Sequence, residues 1–287
     1  DEQSINLATL ALESLISNGV YSTASPKSIR LAKNKIGSLI ALTEAGLPVP
    51  RSAALTGTES YEVDVDRLLK VVEPNLGKRL IVKTNTGTHG KGVMPANSRG
   101  EARAIVDGFL ANNIPILLQQ FVEPTKKNRY ADLRFIVVGG KVVASMKRLS
   151  SRKDEIRANL SLGGIGLPYE PSEREVEMAE KAAKAIGLSI AGVDIIPSGN
   201  QRVVIEVNSS PGFIVEDICK INLAKKIVQQ ALSHAKKNSK QTLNLVKKLK
   251  VDKLLLAPGR PAIPKMQKVP ATLRSLAKIK ATPKTEP

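Results

Sequence analysis

The chain has no tryptophan, one cysteine and two histidines, and its four Phe and four Tyr make up only 3% of it. A single cysteine, Cys219, excludes an intramolecular disulfide framework and fits a reducing setting, read as cytoplasmic. No run of about 18 apolar residues occurs, which excludes a membrane-spanning helix, and no basic-then-apolar leader marks a signal peptide. No internal repeat is evident. What is present is a chain of 287 residues, 42% apolar, long enough to bury a real core in one to three domains.

Acidic charge is scarce at one end. From Lys236 to Pro287 there are 14 Lys+Arg against 2 Asp+Glu, so most of the net charge of +18 sits in the tail. Prolines in APGRPAIPK and KATPKTEP interrupt helices there, leaving room for one helix near 240–256. Two readings of 236–287 stand level. One is attachment to nucleic acid or an acidic protein surface, and the other is a solvated linker or packing arm.

Before the tail, residues 3–18 and 27–46 have helical spacing, the second segment closing at Gly46 before Pro48. Buried strands are expected over 78–84 and 116–122, with a helix over 98–113 capped by Ser98 between them. DLRFIVV and KVVASMKR around Gly139-Gly140 read as a hairpin. A helix over 172–187, strands over 190–196 and 201–207, and a last helix near 217–235 complete an α+β pattern.

Four local features bear on chemistry. Lys83 ends a strand and is followed by the Gly-rich run Thr86-Gly-Thr-His-Gly-Lys-Gly92, in which glycines let backbone N–H groups approach phosphate. Its spacing fits neither the Walker form nor GxGxxG, and without a ligand such a run is simply a mobile turn. In VVIEVNSSPGF, residues 203–213, strand alternation aims Glu206 and Asn208 at one face, and antiparallel pairing with IAGVDII adds Asp194. Such a set needs either a hard cation such as Mg²⁺ or a basic partner, for example a structural Arg against Glu206. Lys147, Arg148, Arg152, Arg157 and Asn159 form a basic stretch whose arginines supply planar donors for carboxylate or phosphate if they meet the other features. Gln119 to Val122 ends an apolar strand whose backbone can pair with a flat heterocycle. His89 reads as incidental and Cys219 as a helix-packing residue.

The order of these pieces, from Lys35 through Lys83, QQFV, DLRF, RANLSLGG and GVDI to EVNSSPG, resembles the ATP-grasp ligases over about residues 20–235. The likeness is nearest to the RimK type, which adds glutamate to the carboxyl terminus of a small-subunit ribosomal protein. The resemblance implies an ATP-grasp fold in which two α+β lobes, about 48–120 and 121–235, clasp a nucleotide. Residues 1–34 would be a short helical remnant or linker, 35–235 the ATP-grasp domain, and 236–287 the basic extension.

By that resemblance, Lys35 and Lys83 reach the nucleotide's phosphates, and Thr88, Gly90 and Gly92 belong to the loop that closes over them. The backbone of Gln119, Gln120, Phe121 and Val122 reads adenine, with Gln120 where relatives often carry glutamate. Asp132 lies near the ribose. Asp194, Glu206 and Asn208 hold magnesium, two ions replaceable by Mn²⁺. Arg134, Arg148, Arg157 and Asn159 hold phosphate or an acyl phosphate, and Ser210, Pro211 and Gly212 shape the wall beside the amine. The implied reaction joins an amino acid, glutamate favoured, to a carboxylate acceptor that includes protein, with a homo-oligomer common in the family.

Two departures stand out. Leu162 replaces a common arginine in NLSLGG, and the small α/β domain that precedes Lys35 in the family is missing or very short. The rival reading is an inactive ATP-grasp body that serves as a structural or nucleic-acid-binding part of an assembly.

Overall fold

A computed structural model of the protein describes residues 2–56, 64–87, 92–123, 130–152, 155–160 and 163–233, all within a unit spanning Asp1–Lys237. Thr88, His89, Gly90, Leu162 and the helix expected near 240–256 lie outside the described residues.

The chain starts with α1 (Glu2–Ser17), α2 (Pro26–Lys33) and α3 (Lys35–Glu44). The single helix expected over 27–46 is therefore two. Asn34 between them is extended (φ −95°, ψ 106°), and its side-chain oxygen accepts from Gly37 N at 2.8 Å. An amide that caps a new helix competes with continuation of the old one. The break sets Lys35 at the first position of α3, where its backbone N–H donates to Asn85 O at 3.1 Å.

Next come β1 (Ser52–Leu55), α4 (Val65–Leu76), β2 (Leu80–Thr84), β3 (Val93–Ala96), α5 (Arg99–Leu110) and β4 (Ile116–Gln120). Their strands form an antiparallel sheet in the order β1-β4-β2-β3. Leu80 and Val82 of β2, with Ile116 and Leu118 of β4, pack on Leu69 and Val106 of the two helices. By alternation Ile81, Lys83 and Gln119 face the other way. The sequence left β1, α4 and β3 unmarked: both strands have four residues, and α4 contains Pro74.

A second antiparallel sheet holds β5 (Ala131–Val138), β6 (Lys141–Leu149), β7 (Ile165–Pro168), β8 (Ile190–Ser198) and β9 (Gln201–Asn208), ordered β7-β6-β5-β8-β9. Gly139 (φ 64°) and Gly140 (φ 77°) make the tight hairpin, since two successive left-handed residues match the strand twist. One face of the sheet, with Leu133, Phe135, Val193 and Ile195, buries against α6 (Glu173–Ile186) and Leu42 of α3. At one end of the other face, Ile136, Val138 and Met146 pack on Val215 of α7 (Val215–Cys219) and on Leu223. The last helix expected over 217–235 starts earlier and is interrupted. Lys220 turns left-handed (φ 52°) after α7, and residues 223–233 are helical again. Cys219 donates to Ser145 O at 3.3 Å within this packing.

Glu175, in the first turn of α6, is buried at 2% exposed. It accepts from Ser172 N at 2.9 Å and Tyr169 Oη at 3.0 Å, and it pairs with Arg202. Burial pushes its carboxyl up, but the bonds from Arg202, Ser172 and Tyr169 outweigh that and hold it below the ordinary range. A depressed folded value means stability that is present above the unfolded carboxyl's range and lost as pH falls through the folded one. We expect Glu175→Gln to lose about 1–3 kcal/mol at pH 7, with the gap to wild type closing below about pH 4. Urea midpoints across that range measure it, and a gap that stays constant contradicts the assignment.

Candidate active site

The faces of the two sheets that carry Lys83 and Asp194 line a cleft with about 1030 Å³ of open space, including solvent at its mouth. Lys35, Lys83, Asp132, Arg157, Asn159, Asp194 and Glu206 all reach it, as do Gln119, Gln120, Phe121 and Val122 at the end of β4. Asn208 lies beside it with Lys35, Gly87 and Glu206. Register explains the convergence. Asp194 pairs directly with Glu206 across β8 and β9, and with Arg134 across β5 and β8, so these side chains share one face. Asp132 pairs with Arg148 across β5 and β6 on that same face.

Lys35 donates to Gly87 O at 3.2 Å, and Lys83 donates to the Gln119 side-chain oxygen at 2.6 Å. Burial lowers both ammonium groups, Lys83 to about 8, while the charge of Glu206 opposes that shift at each. The Gln119 amide is oriented by its own bond to Ser52 Oγ at 3.1 Å, which turns its oxygen toward Lys83. Gly92 (φ 70°) closes the base of the Gly-rich loop, because a Cβ there would run into Thr84, which already bonds Thr86 O at 2.6 Å.

All three arginines expected at the site are engaged by carboxylates. Arg148, expected at an acyl phosphate, is 5% exposed and does not line the cleft. It grips Asp132 at 2.6 and 2.7 Å and Asp194 at 3.0 Å, because two carboxylates this deep need a cation between them. Arg134, expected at the nucleotide, forms a fork on Asp194 instead. Burial would raise the Asp194 carboxyl, but Arg134 and Arg148 hold it low. For Asp132, burial wins over Arg148 and the carboxyl is raised; Arg148 itself is lifted by both carboxylates against its own burial. Arg157 lines the cleft but is held by Glu155 through bonds of 2.8 and 2.7 Å. That pairing, ahead of burial, holds Glu155 down at about 2. Ser210, Pro211 and Gly212 do not line the cleft.

The donor set suits a hard divalent cation. Glu206 has no ion pair of its own among the described residues, so the basic partners in this cluster serve Asp194 instead. Asp194 Oδ1 is occupied by both arginines, whereas Oδ2 accepts only Arg134 and keeps a lone pair. The Asn208 amide nitrogen is buried without a partner, and turning the amide over would present its oxygen. Among the described residues no three His, Cys, Asp or Glu side chains gather, so a cation would rest on two carboxylates and this amide. Sequence reasoning missed Tyr130 in the wall, although an aromatic just before DLRF in so aromatic-poor a chain was a signal.

The sequence matches the RimK-like ATP-grasp domain family over residues 32–231. The chain belongs to that family. A "Probable alpha-L-glutamate ligase" of Legionella pneumophila is 36% identical over 229 residues, covering 79% of this chain and 72% of its own. Another of that name, from Thioalkalivibrio sulfidiphilus, is 38% identical over 225 residues, covering 78% and 71%. Among solved structures, a D-alanine–D-alanine ligase of Bacillus anthracis complexed with ATP superposes with a TM-score of 0.62 at 21% identity, covering 79% of this chain and 75% of that one. The ATP-grasp ligase PsnB, complexed with a minimal precursor variant, Mg and ADP, gives 0.59 at 18%, covering 82% and 69%. The expected α+β ATP-grasp fold is thus found, and the protein is an ATP-dependent acid–amino-acid ligase. Among the described residues no helix is long and apolar enough to cross a membrane.

Arg148→Met would leave Asp132 and Asp194 buried with one fork fewer between them. We expect a stability loss of about 3–5 kcal/mol, read from urea midpoints, the scale of breaking a buried pair on one side. A loss under about 1 kcal/mol would show that water already reaches this cluster.

Proposed function

We propose that the chain joins an amino acid, glutamate first, to a carboxylate on a protein or peptide through an acyl phosphate. The reading is carried by Lys83 of the first sheet and Lys35 at the start of α3, whose ammonium groups burial makes easier to deprotonate, gathered at one cleft with Glu206 and with Asn208 beside it. Lysines placed this way suit the phosphates of ATP, and Glu206, Asn208 and the spare lone pair of Asp194 suit Mg²⁺, as two ions replaceable by Mn²⁺. The cation, once held, neutralises charge on the phosphates. The names of the glutamate-ligase relatives support the amino acid, and the precursor complexes of PsnB support a peptide acceptor.

In this reading the acid's carboxylate oxygen takes the γ-phosphoryl group as its bond to ADP breaks. The amine then attacks the acyl carbon, phosphate leaves, and the amine gives up a proton. Such transfer needs alignment and charge balance more than a covalent enzyme nucleophile. Lys35 and Lys83 donate to phosphate oxygens. Arg157 exchanges Glu155 for the acyl phosphate, with Asn159 beside it. Arg134 and Arg148 act through Asp194, keeping it ionised and aimed. The nucleotide would be clasped between the lobe of residues 48–120 and the lobe of residues 121–235.

Glu206→Ala should lose at least about 10²-fold in turnover, the order expected when a transition-state contact goes. Incubation with Mg·ATP, labelled amino acids and host extract, followed by mass spectrometry of proteins, measures it and names the acceptor. Near-normal ligation by the variant contradicts the metal assignment. Separately, Mg·ATP at 100 times its dissociation constant should stabilise the wild type by about 2.7 kcal/mol. No shift in melting temperature at millimolar nucleotide would sink the reading.

A further inference from the structure

Arg79, just before β2, takes no part in the chemistry above, yet it touches both ends of the segment that carries the chain from the first sheet to the second. Its Nε donates to Asn97 Oδ1 at 2.9 Å, one terminal nitrogen to Glu123 Oε1 at 3.3 Å, and the other to Tyr130 Oη at 2.8 Å. The guanidinium carbon lies 3.7 Å from the centre of the Phe121 ring and 6.0 Å from that of Tyr130. The two rings meet edge to face at 5.8 Å and 86°. Backbone adds to this, with Phe121 N donating to Arg79 O at 3.3 Å. Asn97 is itself fixed, since Glu101 of α5 accepts from its backbone at 2.8 Å and its side chain at 3.3 Å.

Phe121 and Tyr130 line the cleft, and Arg79 does not. The ladder places Phe121 level with Arg79, four residues along β2 from Lys83. At the rise of a strand that is about 13 Å, a distance that a nucleoside triphosphate spans. Phosphates at Lys83 would therefore leave the flat base at the two rings. A planar guanidinium stacked on one ring and bonded to the hydroxyl of the other fixes both, which a lysine could not do.

We propose that Arg79 is a positioning residue for the heteroaromatic base of the nucleotide, holding Phe121 and Tyr130 as the base-side wall across the junction of the two sheets. The inference rests on the assignment of Lys83 to the phosphates and not on what is ligated. Its test is calorimetric titration with the magnesium complex of a non-hydrolysable ATP analogue and, in parallel, with magnesium tripolyphosphate, which has no base. Arg79→Met, which keeps the apolar stem, should bind the nucleotide about tenfold more weakly, and Tyr130→Phe, which keeps the ring and loses only its bond to Arg79, about threefold. Tripolyphosphate binding should stay at the wild-type value in both. Wild-type nucleotide affinity in Arg79→Met overturns the proposal, and so do equal losses for nucleotide and tripolyphosphate, which would mark a general loss of structure. A wild type that binds nucleotide but ligates nothing would sink the ligase reading and leave this one standing.

Discussion

Asp132 and Asp194 lie on one face of neighbouring strands of the second sheet, and both are buried. Ionised carboxylates in such a place are costly unless cations face them, and Arg148 is shared between the two. Arg134 adds a fork on Asp194. This balance decides much of what the cleft can do. Because Arg134 and Arg148 are committed inward, the positive charge facing the cleft comes from Lys35, Lys83 and the Glu155-paired Arg157, and the carboxylate there without an ion pair among the described residues is Glu206. Charge at the site is thus sorted into an inner, self-compensated layer and an outer layer available to a ligand.

The second sheet serves two purposes on one face. Its far end, with Ile136, Val138 and Met146, is an apolar core closed by α7 and residues 223–233. The near end is polar and opens to the cleft. Along β5 that face carries Asp132 and Arg134 and then Ile136 and Val138, so one strand passes from the charged end to the apolar one. The opposite face is apolar throughout its centre and anchors α6, whose first turn is fastened by Glu175. Rigid packing below holds the charged positions above in register.

The first sheet ends with β4 and the second begins with β5. Arg79 joins Phe121 and Glu123, after β4, to Tyr130, before β5. In the same region Gln119 links Lys83 to Ser52 of β1, which extends the ordering of the first wall to its outermost strand.

Much of this was legible in the amino-acid order. Apolar alternation and turn residues gave the hairpin at Gly139-Gly140, α6 and the pairing of β8 with β9, because those signals are local. Strand parity alone put Glu206 and Asn208 on one face. The sequence was less informative where a single amide or a short element decides: Asn34 splitting one expected helix, Lys220 interrupting another, and the four-residue strands β1 and β3. Only the tertiary structure decided the partners of the charged residues. An arginine's reach is long and its sequence neighbours say little about what it meets, so it took the register to set Arg134 and Arg148 against Asp194 and Asp132. Likewise Arg79 had no local signal, because its contacts come from residues up to 51 positions away.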